Sequence, residues 1–257
     1  MRRHPTRLLL LAALSAPLLA TPRPAAAQAL TEAQRAEVVE ILRRALREDP
    51  SILRDAVAAM QEAEERDRAE AGRAAIVGQA DALFRDAADP TRGNPRGDVT
   101  IVEFFDARCG FCKQLHPALE ALIRRDPNIR VVMKDLPVLG PTSVQAARAL
   151  LAAHRQGRYA AFQDALLTLR GEPTESVLQD LARRVGLDWA RLRREMEDPA
   201  ISRRIDANMR LAQSLGIQGT PALVIAGPAG PQAATLVPGA VDLGQLERLV
   251  AEARARR

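Results

Sequence analysis

A Cys-Gly-Phe-Cys segment, Cys109–Cys112, directly follows the apolar run Val99–Phe105, and it holds the only two cysteines of the chain. The apolar run predicts a buried strand and the residues after it predict a helix, so the first sulfur stands at a helix N-terminus. Backbone N–H groups and the helix dipole favour a thiolate there. The second sulfur lies about one turn further on, near enough to form a disulfide with the first. The pattern predicts thiol–disulfide exchange, with Cys109 as the nucleophile and Cys112 as the resolving thiol.

The first 29 residues have the pattern of a secretory signal peptide. Met1–Arg7 is basic, Leu8–Ala20 is apolar, and small residues offer cleavage sites after Ala27 or Ala29. A membrane anchor is the alternative interpretation, but the 13-residue apolar run is shorter than the roughly 20 residues that span a bilayer. We therefore expect cleavage and a soluble exported protein, periplasmic if the source is a Gram-negative bacterium.

Charge and cysteine content argue against two other classes of protein. The formal net charge is +5, and loss of the four arginines in residues 1–29 lowers it to +1. Basic and acidic residues are interspersed along the rest of the chain, which is typical of a solvated surface and argues against a nucleic-acid partner. One cysteine pair in an oxidising compartment indicates redox chemistry, since a disulfide-stapled scaffold would need several pairs.

Residues 30–86 form a predicted helical extension that differs from the remainder of the chain. Apolar residues recur at helical spacing, Asp49-Pro50 interrupts the pattern, and Glu62–Glu70 is almost entirely charged. The thin apolar stripe fits either a solvated helix lying across the main domain or a stalk for homo-oligomerisation. Residues 87–98 are rich in turn formers and are predicted to form a linker.

From residue 99 the sequence predicts an α/β fold. The strand at Val99–Phe105, the helix after it and a strand at Ile129–Lys134 form a βαβ unit. Residues 143–216 are predicted to be helical almost throughout. Two short strands, Ala222–Ala226 and Ala234–Val237, and a helix at Leu243–Arg256 complete the domain, 99–257. A βαβ half and a ββα half are thus separated by an all-helical insertion.

The segment 102–113, the later Gly219-Thr220-Pro221-Ala222 and the helical insertion between them resemble the DsbA family of thioredoxin-fold oxidoreductases. The resemblance covers about residues 95–257 and implies a thioredoxin fold with an all-helical insertion. The extension before it is similar in composition to that of ScsC-like members, the suppressor-of-copper-sensitivity proteins. The resemblance implies exported protein substrates with cysteines and a membrane redox partner of DsbD-like or DsbB-like type.

Three further residues are predicted to complete the site. Glu103 interrupts an apolar strand, so it is expected to point inward beneath the cysteines, where a buried carboxyl could shuttle the proton of Cys112. A solvent-facing glutamate is the alternative. A cis bond at Thr220-Pro221 would aim the Thr220 backbone at the sulfurs, where it could pair with an extended substrate. A simple strand-entry proline is the alternative here.

Gly110 and Phe111, between the cysteines, are expected to tune the reduction potential. His116 follows at a spacing that a metal site could use, but no fourth ligand is evident in the sequence, and we expect neither a structural metal nor a cofactor. The glycine-aromatic pair and Thr220 resemble the isomerases of the family. They favour a disulfide isomerase or reductase over a dithiol oxidase. A copper-tolerance protein with thiol ligands and a helical adaptor that uses the fold for binding are alternatives from other classes.

Overall fold

A computed structural model describes residues 30–256 of the chain, and the predicted signal peptide, residues 1–29, lies outside the described residues. The chain divides into two compact units, residues 30–60 and 61–256 of the described part. Within residues 30–256, no helix combines the length and the apolar character needed to cross a membrane.

The first unit consists of helix α1 (Glu32–Glu48) and the beginning of helix α2 (Ser51–Gly78). Thr31 caps α1 in a capping box with Gln34, and the interruption at Asp49-Pro50 separates the two helices. None of the residues of α1, all of which the structure describes, is buried. Its apolar side chains therefore face solvent in the isolated chain.

The second unit holds the remainder of α2 and all later elements. These are α3 (Ala80–Phe84), β1 (Thr91–Gly93), β2 (Val99–Phe105), α4 (Gly110–Arg125), β3 (Ile129–Asp135), α5 (Pro141–Arg155), α6 (Tyr159–Leu167), α7 (Glu175–Arg184), α8 (Trp189–Met196), α9 (Pro199–Ser214), β4 (Ala222–Ala226), a 3-10 turn (Pro231–Ala233), β5 (Thr235–Pro238) and α10 (Leu243–Ala255).

The sheet has the order β1-β3-β2-β4-β5. Strands β2 and β3 are parallel and connected through α4, whereas β4 and β5 are antiparallel neighbours on the other side of β2. Helices α5–α9 form the insertion between β3 and β4. The predicted fold class, a βαβ half and a ββα half around an all-helical insertion, is confirmed.

Strand β1 was not predicted, because its three residues lie among the turn formers of the predicted linker, 87–98. It pairs antiparallel with β3, with Arg92 opposite Val131. This pairing covers the outer edge of β3 and turns one linker residue, Arg92, toward the interior, where its side chain is only 7% exposed.

The two faces of the sheet bury separate apolar clusters, as the alternation of a strand requires. Ile101 and Phe105 pack beneath α4, α10 and the insertion, whereas Val102 and Phe104 pack against α9 and the end of α2. Glu103 belongs by alternation to the face under α4. The sheet thus holds the end of β2, and with it the cysteine segment, between two helical layers.

A buried ionic cluster lies on the α9 face. Lys134 on β3 donates to Asp89 and, at 2.7 Å, to the carbonyl of Ala82, and it is 2% exposed. Arg204 on α9 donates to Asp86 at 2.6 Å and to Asp89 at 3.0 Å. Burial raises the pKa of Asp89, while the two cations oppose that rise. The cluster fastens the segment after α3 to the sheet.

Candidate active site

Cys109 stands at the N-cap position of α4, with extended backbone angles, and its side chain makes no capping bond. Its sulfur instead donates to the carbonyl oxygen of Thr220 at 3.2 Å. The two residues meet because β2 ends beside the point where antiparallel β4 begins. The structure therefore brings the cysteine segment and the Thr220-Pro221 segment together, and the peptide bond between Thr220 and Pro221 is cis.

Cys112 lies one turn inside α4 and is fully buried, whereas Cys109 is 8% exposed. Both thiols are free. Burial and the nearby Glu103 carboxyl raise the pKa of the Cys112 thiol well above its usual value. A hydrogen bond with the Asp106 backbone lowers this pKa, Cys109 adds to the rise, and a hydrogen bond with the Thr220 side chain lowers it slightly. Both cysteines are thus buried, and only Cys109 keeps a small exposed fraction.

Glu103 is 1% exposed, so the solvent-facing alternative does not apply. Burial is the main cause that raises the pKa of its carboxyl to about 8. The charge of Glu120 acts in the same direction and that of Arg92 opposes it. Oxygen Oε1 has no hydrogen-bond partner among residues 30–256. This carboxyl is thus placed to exchange a proton near neutral pH.

Asp106 is a site residue that the sequence reasoning missed. Its buried carboxylate accepts hydrogen bonds from the backbone of Arg108 at 2.8 Å, from Val138 at 2.9 Å and Leu139 at 3.1 Å, and from the Ser143 hydroxyl at 2.8 Å. It ties the cysteine segment to the loop that opens the insertion. Its position three residues before Cys109, at the end of a strand, was the only available signal.

Two basic side chains also join the cysteine segment to the insertion. Arg108 donates to Glu172 and to the carbonyl of Leu139. Lys113 donates to the carbonyl of Leu169 at 2.7 Å. The start of α4 is therefore fixed on both sides of the cysteines by contacts with the helical insertion.

Gly110 and Phe111 lie on the open side of the site. An added Cβ at Gly110 would meet no atom of the described chain within 4 Å, and Phe111 is 63% exposed. Residues 216–222 also line an open cleft of about 280 Å³ together with Leu236, Pro238 and Gly239. Phe111 thus presents apolar surface between the two cysteines, and the cleft lies at Thr220-Pro221, the segment that Cys109 contacts.

Among residues 30–256, the group of possible metal ligands that contains His116 includes two carboxylates and neither cysteine. The His116 imidazole, Glu120 and Asp164 place one donor atom each within 4.8 Å of one another. The guanidinium of Arg92 already pairs with both carboxylates. Arginine therefore supplies the positive charge that a metal ion would bring to this donor set.

Comparison with known proteins identifies a family and several solved relatives. Residues 100–251 match the model of the DSBA-like thioredoxin domain. A thioredoxin-like oxidoreductase from Silicibacter pomeroyi DSS-3 is 44% identical, with 69% of this chain and 98% of the other covered and a TM-score of 0.64. A linker-deletion mutant of Proteus mirabilis ScsC is 30% identical over 90% of this chain and 99% of the other, with a TM-score of 0.66. The thiol-disulfide exchange protein alpha-DsbA2 from Wolbachia pipientis is 30% identical over 72% and 97%, with a TM-score of 0.65.

A curated relative is the Na(+)/H(+) antiporter NhaA 1 of Salinispora arenicola, which is 34% identical over 145 residues. The match covers 54% of this chain and 22% of the antiporter. The chain therefore spans less than a quarter of the length of the curated relatives that it matches.

Proposed function

Since the chain belongs to the family of DSBA-like thioredoxin domains, whose solved relatives include thiol-disulfide oxidoreductases, we propose that it exchanges disulfides of exported proteins as an isomerase or reductase. The observation that carries this proposal is the asymmetry of the two thiols. Cys109 keeps an exposed fraction of 8% and contacts the Thr220 carbonyl, while Cys112 is fully buried and its pKa is raised.

The reaction begins at the reduced site. The Cys109 thiolate attacks one sulfur of a substrate disulfide, so a Cys109–substrate bond forms and the other substrate sulfur leaves as a thiolate. The backbone of Thr220 offers its polar groups to the extended substrate beside that bond. The substrate is thereby held as a mixed disulfide with one free thiolate of its own.

Two outcomes follow from the mixed disulfide. In isomerisation, the free substrate thiolate attacks another substrate disulfide, and a substrate thiolate finally displaces Cys109. In reduction, Cys112 passes its proton to Glu103 and attacks the Cys109 sulfur, which closes the Cys109–Cys112 disulfide and releases the substrate thiolate. A buried, protonated resolving thiol delays the second route and gives the substrate time for the first.

Refolding of scrambled ribonuclease tests this proposal. The wild-type protein should restore ribonuclease activity, and Cys109→Ala should abolish the effect. Cys112→Ala should keep part of the isomerisation but lose insulin reduction, because only reduction needs the resolving thiol. Oxidation of a reduced peptide without any reshuffling would instead support a dithiol oxidase. Tight stoichiometric copper binding without exchange would support the metal-binding alternative.

We also propose that residues 30–60 bind further copies of the chain. Ten large apolar side chains of this segment are between 41% and 64% exposed, among them Val38, Leu42, Leu46 and Leu53. Such a row of apolar side chains is costly to leave in water and typical of an association surface. Several sites around one substrate would favour isomerisation.

Deletion of residues 30–60 tests the association. The deletion ends before Ile76, Leu83 and Phe84, which are buried in the second unit and would destabilise it if removed. Light scattering should report an oligomer for the full chain and a monomer for the truncated one. Arg68→Gln, in the charged part of α2, is the matched control and should leave the oligomer intact. A monomeric full chain would refute the proposal.

Export to the periplasm and a membrane redox partner of DsbD-like or DsbB-like type belong to the same proposal. Export is supported by the basic and apolar start of the sequence, residues 1–29. Mass spectrometry of the mature protein should find the chain beginning after Ala27 or Ala29. Thiol trapping in cells should find the cysteines reduced if the partner is a reductant, and oxidised if it is an oxidase.

A further inference from the structure

A polar cluster lies between the sheet and the helices above it, next to the cysteine site. Arg92 forms ion pairs with Glu120 on α4 at 2.6 Å and with Asp164 on α6 at 2.8 Å, and it donates to Gln163 at 2.9 Å. The imidazole of His116 lies 3.1 Å from the same oxygen of Asp164. These contacts hold one guanidinium in a fixed position under α4.

Strand register places this guanidinium on the same face of the sheet as Glu103. Arg92 is opposite Val131, and Val131 is opposite Ile101. Glu103 is two residues further along the strand from Ile101, so it points to the same side. Both side chains therefore enter the layer between the sheet and α4.

The two charges act on each other through an interior that excludes water. Burial raises the pKa of Glu103, and the cation of Arg92 is the group that opposes this rise, while the anion of Glu120 adds to it. Without the cation, the carboxyl would hold its proton more tightly at neutral pH. A carboxyl that keeps its proton cannot accept another from Cys112.

Other ionisable groups lie on the elements packed around Glu103. Cys112 on α4 and Tyr159 on α6 interact electrostatically with Glu103. His116 on α4 and Asp164 on α6 belong to the Arg92 cluster, and Asp135 lies two residues beyond Met133, the β3 partner of Glu103. Strand β4, the neighbour of β2 on the other side, has only apolar residues. Arg92 is the one buried cation among the groups that act on the Glu103 carboxyl in residues 30–256.

We propose that Arg92 is a positioning residue for disulfide exchange, whose guanidinium keeps the Glu103 carboxyl able to release its proton and so to accept that of Cys112. The inference rests on the proposed function. In the step concerned, the proton moves from the Cys112 sulfur to a Glu103 oxygen. The Cys112–Cys109 bond then forms, the Cys109–substrate bond breaks, and the substrate leaves as a thiolate.

Reaction of the reduced protein with 5,5′-dithiobis(2-nitrobenzoate), followed by absorbance, tests the inference and should show two phases. Attack by Cys109 releases the first aryl thiolate, and closure by Cys112 releases the second. The rate of the second phase should rise with pH as Glu103 ionises. Arg92→Met should move this rise upward by about one pH unit. Glu120→Gln should move it downward, because it removes the anion that opposes ionisation.

Three further proteins make the result specific. Arg92→Lys keeps the charge and should restore most of the wild-type profile. Arg125→Met removes an exposed cation that pairs with Glu247 and should change nothing. Arg92→Met in a Glu103→Gln background should be no slower than Glu103→Gln alone, since the group through which Arg92 acts is gone.

The outcomes separate this inference from the proposed function. Loss of the first phase in the wild-type protein would contradict exchange itself. A normal first phase, with an Arg92→Met effect that persists undiminished in the Glu103→Gln background, would overturn the role of Arg92 alone. If Arg92→Met does not fold, the Glu120→Gln variant provides the test. A pH profile of its second phase that is unchanged or shifted upward would overturn the inference.

Discussion

Replacement of Glu103 by glutamine should stabilise the protein, and increasingly so as the pH rises. The carboxyl has an ordinary pKa of 4.5 when unfolded and one of about 8 in the fold, mainly because of burial. The folded state therefore binds the proton more tightly, and the unfolded state loses it first as the pH increases. Folding stability must fall between these two values.

The structure gives the size of this effect. A pKa that rises from 4.5 to about 8, at about 1.36 kcal/mol per pH unit, corresponds to an upper limit of about 5 kcal/mol at high pH. Between about pH 5.5 and about pH 8.5 the wild-type protein should lose about 3 kcal/mol through Glu103 alone. Glutamine has nearly the same shape and no charge, so the variant should not show this loss.

Urea unfolding of the reduced proteins at several pH values and one protein concentration measures the difference. Asp135, whose pKa burial also raises to about 8, is present in both proteins and its contribution cancels in the comparison. Glu247→Gln, an exposed partner of Arg125, is the matched control and should change stability by less than about 1 kcal/mol. If Glu103→Gln and wild type lose stability in parallel as the pH rises, the carboxyl is not the buried, proton-binding group described above.

Three other substitutions and one double variant probe the packing of the fold. Lys134→Met leaves the carboxylate of Asp89 with one of its two cations and should lower the free energy of unfolding in urea by about 3–5 kcal/mol. Adding Asp89→Asn should recover part of this loss. If the two substitutions instead lower the free energy of unfolding additively, the pairing is contradicted. Gly227→Ala should lower the melting temperature by several degrees, because its Cβ would overlap the carbonyl oxygen of Ala253 on α10. Gly72→Ala should instead raise the melting temperature slightly, because alanine favours the helix and the new Cβ would lie in open space on α2. A lower melting temperature for Gly72→Ala would contradict this open environment.

The parts of the site that could be recognised in the sequence are those carried by local patterns. Glu103 lies on β2, the cysteines lie at the start of the helix α4 that follows, and Thr220-Pro221 directly precedes β4. Each of these two segments can be recognised from its own local sequence pattern. The fold class then predicts the pairing of β2 with β4 that brings the segments together.

The parts that escaped prediction depend on packing between distant elements. Arg92 lies among turn formers, and nothing in its neighbours indicates a buried side chain held by α4 and α6. Lys134 sits at the end of an apolar strand, where a lysine ordinarily marks the edge of the core. Its burial depends on Asp89, which comes 45 residues before it and also pairs with Arg204 of α9. Ion pairs between distant elements have no characteristic spacing in the sequence, so a sequence pattern does not reveal them.

The contact between the Cys109 sulfur and the Thr220 carbonyl joins residues 111 positions apart. During synthesis both thiols and the entire insertion emerge before Thr220, so the nascent chain carries the proposed nucleophile well ahead of the group proposed to orient a substrate. Contacts of such long range close slowly, and here closure must await the arrival of β4. Completed β2–β4 pairing is therefore the event that assembles the proposed site, and if the proposed function holds, the appearance of exchange activity should mark the end of folding.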